Sequence, residues 1–245
     1  MHAVILAGGK GTRLRPYTTC VPKPLVPIGD TYSILEIVLH QLHNNGFHSV
    51  TLAIGHMGHL IRAFVGDGTR YGLEVTYTDE DTPLGTIGPV LQVLDDLPEH
   101  FLVMNGDVLT NLDYGAFLKK HVQSGGPVTV STYNREIKSE FGVLDVTESG
   151  DQIVAFREKP TVRFQVSMGI YAMTKETLRR YTPGQVLGFD TLMLDLLAEG
   201  QRPGSDLFGG YWLDIGRPED YDMANQQWQQ MAPVLLPHFA LSAAD

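Results

Sequence analysis

Cysteine is all but missing from this 245-residue chain. Cys20 stands alone, so no internal disulfide can form and no cysteine-rich zinc site can be built. A reducing, cytoplasmic setting is the expectation that follows. Long apolar runs are missing too. No stretch approaches the roughly 20 residues of a membrane span, and the early apolar run at 3–7 is too short for a signal-peptide core. Positive charge is scarce: 18 Lys and Arg against 28 Asp and Glu leave a net charge of −10, which argues against nucleic-acid binding. There is no low-complexity tract, no Gly/Ser/Pro linker and no internal repeat. What is present is 43% hydrophobic and 19% charged residues, enough for a packed core, and one domain spanning 1–245 is expected.

Acid is missing from one region in particular. Residues 1–29 hold Lys10, Arg13, Arg15 and Lys23 and no Asp or Glu, so the rest of the chain carries −14. A basic, acid-free start on an acidic protein suits an anion. Residues 6–18 there read L-A-G-G-K-G-T-R-L-R-P-Y-T, directly after an apolar run expected to be a strand at 2–7. Glycines after a strand let backbone N–H groups approach phosphate oxygens. Two phosphate loops are excluded. Gly9-Lys10 is followed by Gly11 rather than the Ser or Thr arrangement of a Walker A loop, and Leu14 breaks a dinucleotide fingerprint.

The hydrophobic periodicity predicts strands at 2–7, 49–54, 74–78 and 101–105. Between them it predicts helices at 33–44, with Ser33 and Glu36 as a capping box, at 59–65 and at 86–97. A further helix runs from an Asp113 N-cap to 122. This alternation predicts an α/β fold, a Rossmann-like, mainly parallel sheet with helices on both faces. The second half predicts strands at 128–133, 165–173 and 211–215. It also predicts a small antiparallel β-hairpin, 142–147 with 153–158, around Glu148-Ser149-Gly150-Asp151. Helices are expected at 175–181, 191–199 and 218–231, with an irregular tail from Ala232. His40, His43, His56 and His59 read as helix-face residues.

Leu6-Ala7-Gly8-Gly9-Lys10-Gly11-Thr12-Arg13-Leu14 followed by Pro22-Lys23-Pro24 resembles the signature of sugar-1-phosphate nucleotidylyltransferases. The resemblance continues through Asn105-Gly106-Asp107, Glu158-Lys159-Pro160, Gly169-Ile170-Tyr171 and Trp212-Leu213-Asp214-Ile215-Gly216. It implies the nucleotide-diphospho-sugar transferase fold, with 1–125 as a nucleotide-binding half, 126–232 as a sugar-phosphate half and 233–245 as a tail. It implies transfer of a nucleotidyl group from a nucleoside triphosphate to a sugar 1-phosphate, with release of pyrophosphate. Arg13, Lys23 and Asp107 are the implied catalytic residues. Leu6, Ala7, Gly8, Gly9, Gly11, Thr12, Gly85 and Thr86 join Arg13 and Lys23 around the nucleotide. Gly142, Glu158, Lys159 and Gly169 are implied at the sugar phosphate, and Asp107 and Asp214 as ligands of Mg²⁺. The implied partners are the two substrates, with neither nucleic acid nor membrane, and a homo-oligomer, first a dimer.

The thymidylyltransferase branch has a glutamine in the segment that begins at Gly85. This chain has Gly85-Thr86-Ile87-Gly88, small residues that leave room for a purine, and the pattern is similar to guanylyltransferases acting on mannose-like sugars. GTP is therefore the expected donor, with dTTP, UTP or CTP as alternatives. Ser167-Met168 replaces the Asn-Ala of many relatives, which leaves mannose-, heptose- and cyclitol-like phosphates open. Two other classes compete. A glycosyltransferase would use a D-x-D metal motif, and Asp79-Glu80-Asp81 matches its letters but reads as a solvated acidic loop. A noncatalytic nucleotide-sugar-binding regulatory subunit could lose Arg13, Lys23 or Asp107, and all three are here.

Overall fold

The computed structural model describes residues 1–237. In chain order the elements are β1 (His2–Ala7), β2 (Pro27–Ile28), β3 (Tyr32–Ser33), α1 (Ile34–Asn44), β4 (Ser49–Ile54), α2 (Gly58–Val65), β5 (Glu74–Asp79), α3 (Gly88–Gln92), β6 (His100–Asn105) and β7 (Val108–Thr110). They continue with α4 (Tyr114–Ser124), β8 (Val128–Lys138), β9 (Val143–Val146), β10 (Ile153–Arg157), β11 (Thr161–Thr174), α5 (Lys175–Leu178), α6 (Phe189–Ala198), β12 (Gly204–Phe208), β13 (Trp212–Asp214) and α7 (Pro218–Leu235).

Seven strands form the main sheet in the order β12-β8-β11-β6-β1-β4-β5. Neighbours pair in parallel except on the two sides of β11, so β11 alone runs against the other six. Strand alternation explains the two layers of helices. Ala3, Ile5 and Ala7 enter one core with Leu35, Leu39 and Phe117 from α1 and α4. Val4, between them, enters the other with Val90, Leu192 and Leu196 from α3 and α6. A third cluster packs α7, through Trp228 and Ala232, onto Leu14, Ile28 and Ile37. The expected mainly parallel sheet with helices on both faces is what the chain builds.

Several expectations about elements need correction. The helix expected at 86–97 is only Gly88–Gln92, followed by a 3-10 turn at Leu94–Asp96. Its start is delayed because the N–H groups of Ile87 and Gly88 donate to the Leu187 carbonyl, at 2.9 and 3.1 Å. The helix expected at 175–181 ends at Leu178 in tight turns. α7 does not stop at 231 but runs to Leu235 through Pro233, because Ala232 and Leu235 are buried in the third cluster. The expected irregular tail is therefore wrong for 232–235, and its part at 238–245 lies outside the described residues. β8 and β11 extend well beyond 133 and before 165, and β7 and β12 were not anticipated.

Candidate active site

The Gly-rich segment leaves β1 at the carboxyl edge of the sheet. The ends of the parallel strands β1, β4, β5 and β6 open there into one cavity of about 930 Å³. In open α/β sheets this edge is where ligands bind. Leu6, Ala7, Gly8, Gly9, Gly11, Thr12, Arg13 and Lys23 line it, with Gly85, Thr86 and Asp107. All eleven residues expected at the nucleotide or in catalysis are thus in one place.

The loop is shaped by its own backbone. Gly11 sits at φ 59°, in the left-handed region that glycine adopts without steric cost. Its carbonyl accepts from the buried Thr18 hydroxyl at 2.7 Å and from the Leu14 N–H at 3.0 Å, which pins the turn. Gly8 is a close approach. A Cβ there would stand 2.5 Å from Glu80 Oε1, while the Gly8 carbonyl accepts from the His56 N–H at 3.2 Å.

The charged centre lies on the other wall. Lys23, only 8% exposed, donates from Nζ to Asp107 Oδ2 at 2.5 Å. Asp107 Oδ1 is buried and has no hydrogen-bond partner among the described residues. An orphaned carboxylate oxygen is costly unless something else satisfies it. β7 pairs with β13 so that Val108 faces Asp214, and the Ile215 N–H donates to the Asp107 carbonyl at 3.0 Å. The two aspartates, 107 positions apart in sequence, are therefore neighbours across two short strands. Burial first, and then the Asp107 charge, push the Asp214 carboxyl above the ordinary carboxylate range; Lys23 and Arg13 pull the other way. Arg13 is exposed, and its guanidinium carbon lies 4.0 Å from where a Gly216 side chain would begin. Among the described residues no cluster of three or more His, Cys, Asp or Glu could hold a metal. Asp107 and Asp214 each offer hard carboxylate oxygens here.

The sugar-side residues do not line this cavity. Gly142 and Glu158 stand together, Glu158 Oε2 lying 3.3 Å from a Gly142 Cβ position. Lys159 follows at the turn between β10 and β11, with φ 43°, a left-handed conformation that a side chain rarely adopts. Gly169 stands elsewhere, against the Asn105 side chain, at an irregularity in the β11–β8 register. Of the departing pair, Met168 is buried in the core, where its sulfur accepts from the Ser131 hydroxyl at 3.0 Å. Ser167 alone is at the surface.

Sequence reasoning missed His56, Glu80 and Asn105, all of which line the cavity. His56 is not a helix-face residue. Met57, at φ 57°, turns the chain, and α2 begins at Gly58. Nor is Asp79-Glu80-Asp81 simply a solvated loop. Asp79 pairs outward with Arg62 at 2.8 Å, whereas Glu80 faces the cavity, half-buried, and accepts from the Leu84 N–H at 3.1 Å. Burial raises the Glu80 carboxyl. One signal could have found His56 and Glu80, because each stands within two residues of the end of a parallel strand, β4 or β5.

The chain matches the family model of nucleotidyl transferases over residues 2–231. It is 34% identical to the mannose-1-phosphate guanylyltransferase catalytic subunit beta of Danio rerio, over 95% of this chain and 67% of that protein. It is 30% identical to a UTP--glucose-1-phosphate uridylyltransferase of Synechocystis, over 96% of this chain. It spans only 63% of the length of that relative. The crystal structure of HddC from Yersinia pseudotuberculosis complexed with GMP-PN superposes with a TM-score of 0.69 at 27% identity, covering 93% of this chain and 99% of that one. With 230 consecutive residues matched and the fold shared, this chain belongs to the nucleotidyl transferase family.

Proposed function

We propose that this chain transfers a nucleotidyl group from a nucleoside triphosphate, with GTP preferred, to a sugar 1-phosphate, giving a nucleotide sugar and pyrophosphate. The observation that carries this reading is the cavity at the strand ends, where the Gly-rich loop and Arg13 meet the Lys23–Asp107 pair. The chemistry is an in-line displacement. A sugar-phosphate oxygen attacks the α-phosphorus, the bond to the β-phosphate oxygen breaks, and pyrophosphate leaves with that electron pair. Such a reaction needs positioning and charge neutralisation rather than a covalent enzyme intermediate. Backbone N–H groups of residues 8–11 cradle the phosphates. The Arg13 fork holds the outgoing β- and γ-phosphates. Lys23 donates to the α-phosphate oxygens, and Lys159 with Glu158, at the turn between β10 and β11, receives the sugar phosphate and hydroxyls.

Asp107 and Asp214 fit Mg²⁺. The orphaned Oδ1 of Asp107 and the raised Asp214 carboxyl both call for a cation, and Mg²⁺ takes one or two carboxylates plus substrate phosphates. Bound there, it supplies neutralisation of phosphate charge. The preference for guanine rests on Glu80. Guanine offers two adjacent donors, N1–H and N2–H, to one carboxylate; thymine and uracil offer a single ring N–H. The likeness to a structure solved with GMP-PN supports the same base.

A matrix of four triphosphates against mannose-, heptose- and cyclitol-type phosphates, scored by pyrophosphate release, tests the reading. GTP is expected to lead by about tenfold, or ~1.4 kcal/mol, and Glu80→Gln to erase most of that lead. No pyrophosphate from any pair would sink the reaction. A pyrimidine preference would sink the base assignment alone.

A further inference from the structure

A trans peptide unit fixes two directions at once, because its C=O and its N–H point to opposite sides. A carbonyl anchored on one side of a loop therefore aims the next residue's N–H at the other side. The Gly-rich loop does this twice, at the trans units Gly8–Gly9 and Gly11–Thr12. The Gly8 carbonyl accepts from the His56 N–H at 3.2 Å, so the Gly9 N–H is turned away from His56. The Gly11 carbonyl accepts from the Thr18 hydroxyl at 2.7 Å and from the Leu14 N–H at 3.0 Å, so the Thr12 N–H is turned away from Thr18. Gly9 and Thr12 line the cavity, whereas Thr18 does not. Among the described residues nothing accepts from either N–H.

The two anchors differ in kind. At Gly8 the donor is backbone, held by the end of β4. At Gly11 one donor is a side chain, seven residues further along the chain. Thr18 is only 4% exposed, and the one bond its hydroxyl makes is to this carbonyl. Its methyl group packs as well, standing 3.1 Å from where a Gly11 side chain would begin, with Lys23 Cβ at 3.2 Å. An apolar side chain of the same size would fill that space equally well. The hydroxyl adds direction. Glycine is permissive in both backbone angles, and a carbonyl has two lone pairs. Leu14 takes one and Thr18 the other, which leaves the Gly11–Thr12 unit a single orientation.

We propose that Thr18 is a positioning residue for nucleotidyl transfer: through the Gly11 carbonyl it aims the Thr12 N–H at the phosphate chain of the nucleoside triphosphate. This rests on the reaction proposed above. Thr12 adjoins Arg13, so its N–H serves the outgoing β- and γ-phosphates beside the guanidinium. Negative charge grows there as the bond to the α-phosphorus breaks. A donor fixed in advance stabilises that charge without reorganisation at the moment of reaction. An interaction that strengthens in the transition state appears in kcat, not in KM.

Thr18→Val keeps the shape and removes the donor, whereas Thr18→Ser keeps the donor. Thr18→Val should lower kcat by about tenfold or more, short of the ~10²–10³-fold for deleting an oxyanion donor outright. The KM for GTP should change little, and Thr18→Ser should recover most of the loss. A second readout needs no turnover. In ¹⁵N-labelled protein titrated with pyrophosphate, the Gly9 and Thr12 amide resonances should both shift in the wild type and in Thr18→Ser. In Thr18→Val the Thr12 shift should be lost and the Gly9 shift kept, because the His56 N–H still holds the Gly8 carbonyl. If Thr18→Val does not fold, Thr18→Cys, with only a weak donor, takes the same tests. A variant with wild-type kcat overturns the proposal, as does one whose Thr12 amide still responds fully. So does loss of the Gly9 response as well, which marks general loosening of the loop. A Thr12 amide silent to pyrophosphate in the wild type overturns it whatever the variants do. The titration reads the phosphate chain and not turnover, so its outcome stands apart from that of the substrate matrix.

Discussion

Lys23 and Asp107 are bound to each other, and this sets what substitution at either will do. Removing the ammonium leaves a largely buried carboxylate with neither oxygen satisfied. Lys23→Ala should therefore lower thermal stability as well as kcat/KM, whereas Arg13→Ala, at an exposed side chain, should lower kcat/KM alone. We expect at least ~10²-fold in each, the scale for removing a preorganised charge stabiliser. Arg13→Lys should recover little of it, because an ammonium keeps the charge but not the bidentate fork. Steady-state kinetics beside melting curves separate the two residues, and unchanged kinetics in a folded Arg13→Ala protein would remove Arg13 from the mechanism. Asp107→Asn and Asp214→Asn should each abolish most activity, with the double variant less than additive, since both disable one site.

At the scale of elements, histidines tie helix and strand to neighbouring strands. His121 of α4 lies buried between the Thr129 hydroxyl of β8 at 2.9 Å and the Thr174 hydroxyl of β11 at 3.1 Å, with the His100 ring 5.6 Å away. Burial, then His100, bring its pKa down to about 4. His2 of β1, between Ser49 and Thr51 of β4, is brought to about 4 by burial and by the N-terminal amine. The sign follows. Unfolded, these rings protonate near 6.5; folded, they resist until about 4. Their contribution is present above pH 6.5 and is lost as pH falls towards 4. Melting temperature should drop over that window, and His121→Gln should flatten the drop; an unchanged slope would exclude His121 as a source. The same scale shows what the sequence could reveal. The α1 capping box was legible because it is local: the Ser33 N–H donates to Glu36 Oε2 at 2.9 Å, and the Glu36 N–H donates to Ser33 Oγ at 3.2 Å. The Gly-rich loop was legible for the same reason. β12, the length of β8 and β11, and the helix through Pro233 depend on partners far along the chain. The strand-end positions of Glu80 and His56 are local, but their meeting beside Gly8 was hidden, because topology and not spacing brings them there.

At the scale of the whole molecule the two proposed substrate sides are built differently. The side proposed for the nucleotide is a cavity in the body of the sheet, with its loop pinned by Thr18 and its walls fixed by four parallel strands. Gly142, Glu158 and Lys159 flank the exposed β9–β10 hairpin, outside that cavity. A preformed site gains most from its ligand, because little ordering opposes binding. GTP with Mg²⁺ at 100 times its dissociation constant should stabilise the fold by ~2.7 kcal/mol, or about 5–10 °C for a chain of this size. Sugar 1-phosphate alone should move the midpoint by much less, and should add its own increment only after the nucleotide is bound, when Lys159 and the α-phosphate close on it together. Differential scanning fluorimetry with each substrate alone, and with GTP in the presence and absence of Mg²⁺, measures this order. A sugar phosphate that stabilises the free protein as strongly as GTP does would mean that the residues flanking the β9–β10 hairpin are already held in place without the nucleotide.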